Sequence, residues 1–172
     1  MKSYRPMHPT KLGLTLLVLS LLTIGGCGQA VPAKLEAGDP APEFSLNDLS
    51  GQRVSLKDYR GKLLLLNFWA TYCDPCREEM PVLMSLYDEY KARGLTVVGI
   101  SLDETGEAAV RPFVQALRIG YPILLGNSDI FTRYRGFGIP MTVLITRDGK
   151  IVKKWVGARP RQEFEAEIKT HL

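Results

Sequence analysis

The chain has 172 residues, of which 45% are hydrophobic and 23% charged, enough apolar material for one buried core and unlike a disordered or collagen-like composition. The formal net charge is +4, but Lys2, Arg5 and Lys11 stand before residue 27 with no acid among them, leaving 19 Lys and Arg against 18 Asp and Glu. A nearly neutral body excludes a basic nucleic-acid surface.

Residues 1–11 are polar and carry those three cations, and residues 12–24, LGLTLLVLSLLTI, form an apolar run of 13. Such a run suits a secretory leader and is short of the roughly 20 residues that a membrane-spanning helix needs. The IGGC segment that ends at Cys27 resembles the lipobox of bacterial lipoproteins. That resemblance implies that Cys27 is lipidated and anchors the chain to a membrane of the bacterial cell envelope; the alternative is an uncleaved signal anchor. In both cases the body faces outside the cytoplasm, where disulfide chemistry operates. The divisions read here are a signal peptide over 1–26, a lipidated N-terminus and linker over 27–40, and a folded domain over 41–172, with packing expected to begin near Leu35.

FSLNDLSGQRVSL alternates around Leu46, Leu49, Val54 and Leu56 with a Ser50-Gly51 turn, which predicts a β-hairpin. KLLLLNFWA is a continuous apolar run, as in a strand buried on both faces. From Pro75 to Arg93 a helix is predicted by Leu83, Leu86, Tyr87 and Tyr90, with Gly94 as its stop. LTVVGISL predicts a second buried strand, and residues 107–119 a helix with Val110, Phe113, Val114 and Leu117 on one face. DIFTRYRG predicts a short helix capped by Ser128 or Asp129. MTVLITRDGKIVKKWVG predicts two strands about an Asp148-Gly149 turn, and Phe164 with Ile168 marks a last helix. The order predicts a mixed central sheet covered by helices on both faces.

Cys73 and Cys76 form a CxxC pair between the first buried strand and the first helix. A structural zinc site needs four ligands, but there is no second pair, and the two histidines are His8 and His171, at the two ends of the chain. Haem attachment needs CxxCH, and Arg77 follows Cys76. A passive staple over so short a loop constrains the unfolded chain little. Redox exchange fits the position, because a helix N-terminus stabilises a thiolate. Cys73, the more exposed member, is the expected nucleophile; Cys76 is expected to resolve the mixed disulfide, and Pro75 suits the first helical turn.

NFWATYCDPCREEMP, with AGDPAPEFSLNDLSGQRVSLKDYRGKLLLLNFWATYCDPC, LTVVGISLDE and GIPMTVLITRDGKIV, resembles the TlpA/ResA-like thiol–disulfide oxidoreductases, membrane-tethered members of the thioredoxin fold. The resemblance covers most of the domain. It implies an α/β thioredoxin-like fold, a mixed central sheet flanked by helices with an N-terminal β-hairpin extension, and no cofactor beyond the Cys73–Cys76 disulfide. It places Pro140 in a cis-proline loop and has the Ile139 backbone pair with a substrate chain. Trp69 and Tyr72 are expected at the substrate surface; Tyr72 departs from the Trp that often precedes the first cysteine. Glu79 lies one turn beyond Cys76 on the same helix face and matches the family's active-site acid, a proton relay to Cys76. Glu78 needs no role beyond a favourable charge in a first helical turn. The charge of Asp74 opposes a Cys73 thiolate while the helix dipole favours it; a dominant acid makes the protein a reductant.

The expected activity is thus reduction of protein disulfides by a monomer supplied with electrons by a membrane thiol–disulfide donor. Apocytochrome c is a common substrate in the family. Two rival readings stand beside it. A peroxiredoxin-like peroxidase places Thr or Ser three before its reactive cysteine, where Ala70 stands, and a Pro where Leu66 stands. A protein-binding adaptor would work without either cysteine of the pair.

Overall fold

A computed structural model of the protein describes residues 35–172, together with Met1. The expected leader, Cys27 and most of the linker lie outside the described residues. Among the described residues no helix is long and apolar enough to cross a membrane.

The strands are β1 (Ser45–Asp48), β2 (Arg53–Ser55), β3 (Leu63–Trp69), β4 (Leu95–Ser101), β5 (Ile123–Leu125), β6 (Met141–Ile145) and β7 (Ile151–Val156). The helices are α1 (Asp74–Tyr90), α2 (Glu107–Leu117), α3 (Ser128–Arg133) and α4 (Arg161–His171). One mixed sheet runs β2-β1-β5-β4-β3-β6-β7. Its centre, β3 with β4 and β4 with β5, is parallel, and antiparallel pairs flank it. This is the thioredoxin-like fold with the expected hairpin extension, and the hairpin joins the main sheet by pairing β1 with β5.

The apolar run of β3 supplies both layers of core. Leu63, Leu65 and Trp69 face Leu83, Leu86, Tyr90, Phe164 and Ile168 of α1 and α4. Leu64, Leu66 and Phe68 face Ile130, Tyr134, Phe44 and Leu56 on the other side. Period-two alternation in a strand buried on both faces produces this division. Each such leucine contributes roughly 1.5–3 kcal/mol of burial.

Three local expectations change. Leu56 belongs to a 3₁₀ turn over Leu56–Tyr59 and not to β2. The cap of α3 is Asn127, whose side chain accepts the Ile130 N–H at 3.1 Å, and not Ser128 or Asp129. Leu117 at the end of α2 is exposed, because the α2 face that packs inward centres on Val110. Leu35, where packing is expected to begin, is buried, and the backbone of residues 38–41 bonds to Gly149 and Ile151 beside the β6–β7 turn. The strand β5 was not expected at all. Three residues after Pro122 are too few to show a period.

Candidate active site

The end of β3 and the start of α1 meet at the CxxC pair. The connecting loop is tied to the end of β4: Leu102 N–H donates to the Trp69 carbonyl at 2.8 Å. Thr71 N–H donates to both carboxylate oxygens of Asp103 at 3.1 and 3.2 Å, and Ser101 Oγ donates to Asp103 Oδ2 at 2.7 Å. A buried carboxylate so satisfied fixes the loop against the sheet.

Cys73 is the N-cap of α1, and Asp74 and Pro75 occupy its first two helical positions. Cys73 and Cys76 are joined as a disulfide, with Cα atoms 5.3 Å apart. The Cys76 N–H donates to Cys73 Sγ at 3.2 Å. This free amide at a helix start is the donor that would stabilise a Cys73 thiolate after reduction. Cys73 is 8% exposed and Cys76 2%, which fits an attacking first and a resolving second cysteine. Asp74 and Glu78 are exposed, whereas Glu79 is buried.

Glu79 projects from α1 against the sheet. Its Oε1 accepts the Arg159 backbone N–H at 2.9 Å, and its Oε2 accepts Asn67 Nδ2 at 3.1 Å and lies 3.3 Å from Thr142 Oγ1. Burial pushes its pKa up to about 7; the Arg159 N–H, Thr142, the Arg159 charge and Asn67 oppose that rise. A carboxyl poised there can take or give a proton under neutral conditions.

The Ile139–Pro140 bond is cis, as the resemblance implies, and Pro140 is buried. Ile139 packs against the core cluster that contains both cysteines. A groove of about 550 Å³ passes beside it, lined by Tyr72, Leu102, Asp103, Phe131, Phe137 and Ile139 among others. Tyr72 and Phe137 are 73% and 79% exposed, two apolar surfaces at one groove.

One expected contact must be corrected. Trp69 is wholly buried and stacks near Phe113 at 5.3 Å between ring centroids, so it offers no surface to a substrate. Its place on β3 turns it under α1, where it floors the site. Four other residues reach the site without a role assigned from the sequence: Asn67, Thr142, Phe137 and Arg159, the last acting through its backbone. Asn67 carried a readable signal, as a polar residue inside an otherwise apolar strand. Phe137 and Arg159 carried none, because only the fold brings their loops to the groove and to Glu79.

The chain matches the AhpC/TSA family over residues 37–154. It is 36% identical over 137 residues to the thiol-disulfide oxidoreductase ResA of Bacillus thuringiensis subsp. konkukian, covering 79% of each chain. It is 39% identical over 136 residues to the thioredoxin-like protein YneN of Bacillus subtilis, covering 78% of this chain and 79% of that one. The thioredoxin domain of a thiol-disulfide oxidoreductase from Bacteroides vulgatus superposes with a TM-score of 0.74 at 30% identity, over 81% of this chain and 100% of that one.

Proposed function

We propose that this chain, which belongs to the AhpC/TSA family and is a thiol–disulfide oxidoreductase, works outside the cytoplasm as a reductase of protein disulfides. The observation that carries the reading is the Cys73–Cys76 disulfide at the start of α1 with the buried, protonatable Glu79 one turn further on.

In the reaction, the Cys73 thiolate attacks one sulfur of a substrate disulfide. The substrate S–S bond breaks, a Cys73–substrate disulfide forms, and the other substrate sulfur leaves as a thiolate. Cys76 then gives its thiol proton to the Glu79 carboxylate, and its thiolate attacks Cys73 Sγ. The internal disulfide forms and the second substrate sulfur departs with its electron pair. Two electrons have passed to the substrate, and a membrane-bound dithiol protein would return them. The exposed charge of Asp74 beside Cys73 favours the disulfide over the thiolate, which supports the reductase direction. A measured reduction potential as oxidising as roughly −120 mV would contradict that direction.

The extracytoplasmic placement rests on the leader and Cys27 pattern, and the lipid anchor on the IGGC segment. Apocytochrome c is the substrate proposed from the family resemblance, since its haem-binding cysteines must be reduced before attachment. Trapping tests the whole reading. Cys76→Ala should accumulate mixed disulfides on Cys73 in cells, and their partners name the substrate. Absence of any Cys73-linked partner would sink it.

A further inference from the structure

We propose that Thr142 and Asn67 are positioning residues: they hold Oε2 of the Glu79 carboxyl and supply the one hydroxyl able to reverse its hydrogen bond when that carboxyl gains or loses a proton. The inference rests on the reading that Glu79 exchanges a proton with Cys76.

Asn67 on β3 stands directly opposite Thr142 on β6 in the antiparallel ladder. Directly paired residues project to the same face, here the face under α1. Their neighbours on that face, Leu65, Trp69 and Leu144, are apolar, yet Asn67 and Thr142 are only 2% and 1% exposed. Burying two polar side chains costs free energy unless each finds a partner. Two residues with only a structural role could satisfy one another. These two also reach Glu79.

The donor count defines what each can do. The Asn67 amide has two N–H groups; one goes to Thr142 Oγ1 at 2.9 Å and one to Glu79 Oε2 at 3.1 Å. Both are committed, and a flipped amide would set its carbonyl against the carboxylate. Since Thr142 Oγ1 accepts from Asn67, its own hydrogen is left for Glu79 Oε2 at 3.3 Å. On the other oxygen, the Arg159 N–H is part of the backbone and cannot turn. Of the three donors, only the Thr142 hydroxyl can rotate. It donates to the ionised carboxylate and accepts from the protonated acid. The resolving step takes a proton from Cys76 to Glu79, so it needs such a reversal at fixed heavy-atom positions. The other charged or titratable groups at Glu79 are Arg159 from the segment after β7 and Tyr121 from before β5, with Cys76 one turn back on α1.

Thr142→Val keeps the side-chain volume and removes the hydroxyl. The test is the pH dependence of mixed-disulfide decay, followed by rapid quench in a single turnover of the reduced full-length chain on a peptide disulfide, which isolates the resolving step from the Cys73 attack. The wild-type rate should rise through an inflection near the carboxyl value of about 7. Thr142→Val should move that inflection up by about one unit, the loss of one donor to a charged group, and Thr142→Ser should restore it. Thr142→Ala, which adds no methyl group to the site, should move it the same way. A Thr142→Val profile that superimposes on wild type, when Glu79→Gln abolishes the inflection, overturns the proposal. An inflection that survives Glu79→Gln overturns the assignment of Glu79 itself and the proposal with it.

Discussion

At Glu79, burial and hydrogen bonding pull in opposite directions. Three donors favour the carboxylate, but removal from water favours the acid by more, and the balance falls at about 7. The consequence for the reaction has a definite sign. Glu79 must be ionised to accept the Cys76 proton, so the resolving step accelerates as pH rises through the neutral range. Glu79→Gln should slow that step by about 10²-fold, the lower end for loss of a general base, while the attack by Cys73 changes little. Rapid-quench measurement of mixed-disulfide decay separates the two steps; equal slowing of both would count against the relay. The contrast with Glu78 is instructive. The two acids are adjacent in sequence, but one faces solvent and the other the sheet, because neighbouring positions on a helix point about 100° apart.

Among the elements, α1 is held by its packing. It continues through Pro81, which cannot donate to the carbonyl four residues before it. Buried Leu83, Leu86 and Tyr90 offset that loss. The active cysteines therefore sit at the end of a helix whose position is set by the core. A smaller element, α3, depends more on its cap. Asn127→Ala should cost about 1 kcal/mol, read from urea unfolding, and an unchanged midpoint would show that the Asn127 bond to Ile130 is dispensable. Since Asn127 also lines the groove beside Ile139, the same variant should loosen its far wall.

For the whole molecule, Glu79 also links pH to stability. Its folded value of about 7 lies above the ordinary 4.5, so the folded state holds an extra proton between those two values. Stability from this group is fully present below about 4.5 and falls as pH rises through about 7, by roughly 3 kcal/mol in all. Urea unfolding of the oxidised protein at pH 5 and pH 8 measures this. Glu79→Gln should remove the difference, and a wild type more stable at pH 8 would contradict the sign. Glu165, held down to about 2 first by the Tyr90 hydroxyl, acts only in a more acid range and leaves this window clear. A second prediction concerns the segment before Leu35. Metabolic labelling with palmitate should mark the wild-type chain and not Cys27→Ser if Cys27 carries the proposed lipid; an unlabelled wild type would contradict that anchor.

Sequence alone determined the features that depend on local order. The CxxC pair after an apolar run and before a Pro-containing helix start specified redox chemistry, because the helix terminus supplies the thiolate-stabilising amides whatever the rest of the chain does. Continuous apolar runs located β3 and β4, the Asp148-Gly149 turn located the β6–β7 hairpin, and helical periodicity located α1 and α4. Only the tertiary structure decided that β5 exists and receives the hairpin, that Trp69 lies beneath the site, and that Asn67, Thr142 and the Arg159 backbone converge on Glu79. The Arg159 bond spans 80 positions in sequence, and the Asn67–Thr142 pair spans 75. No local pattern encodes such meetings; strand register and sheet order create them.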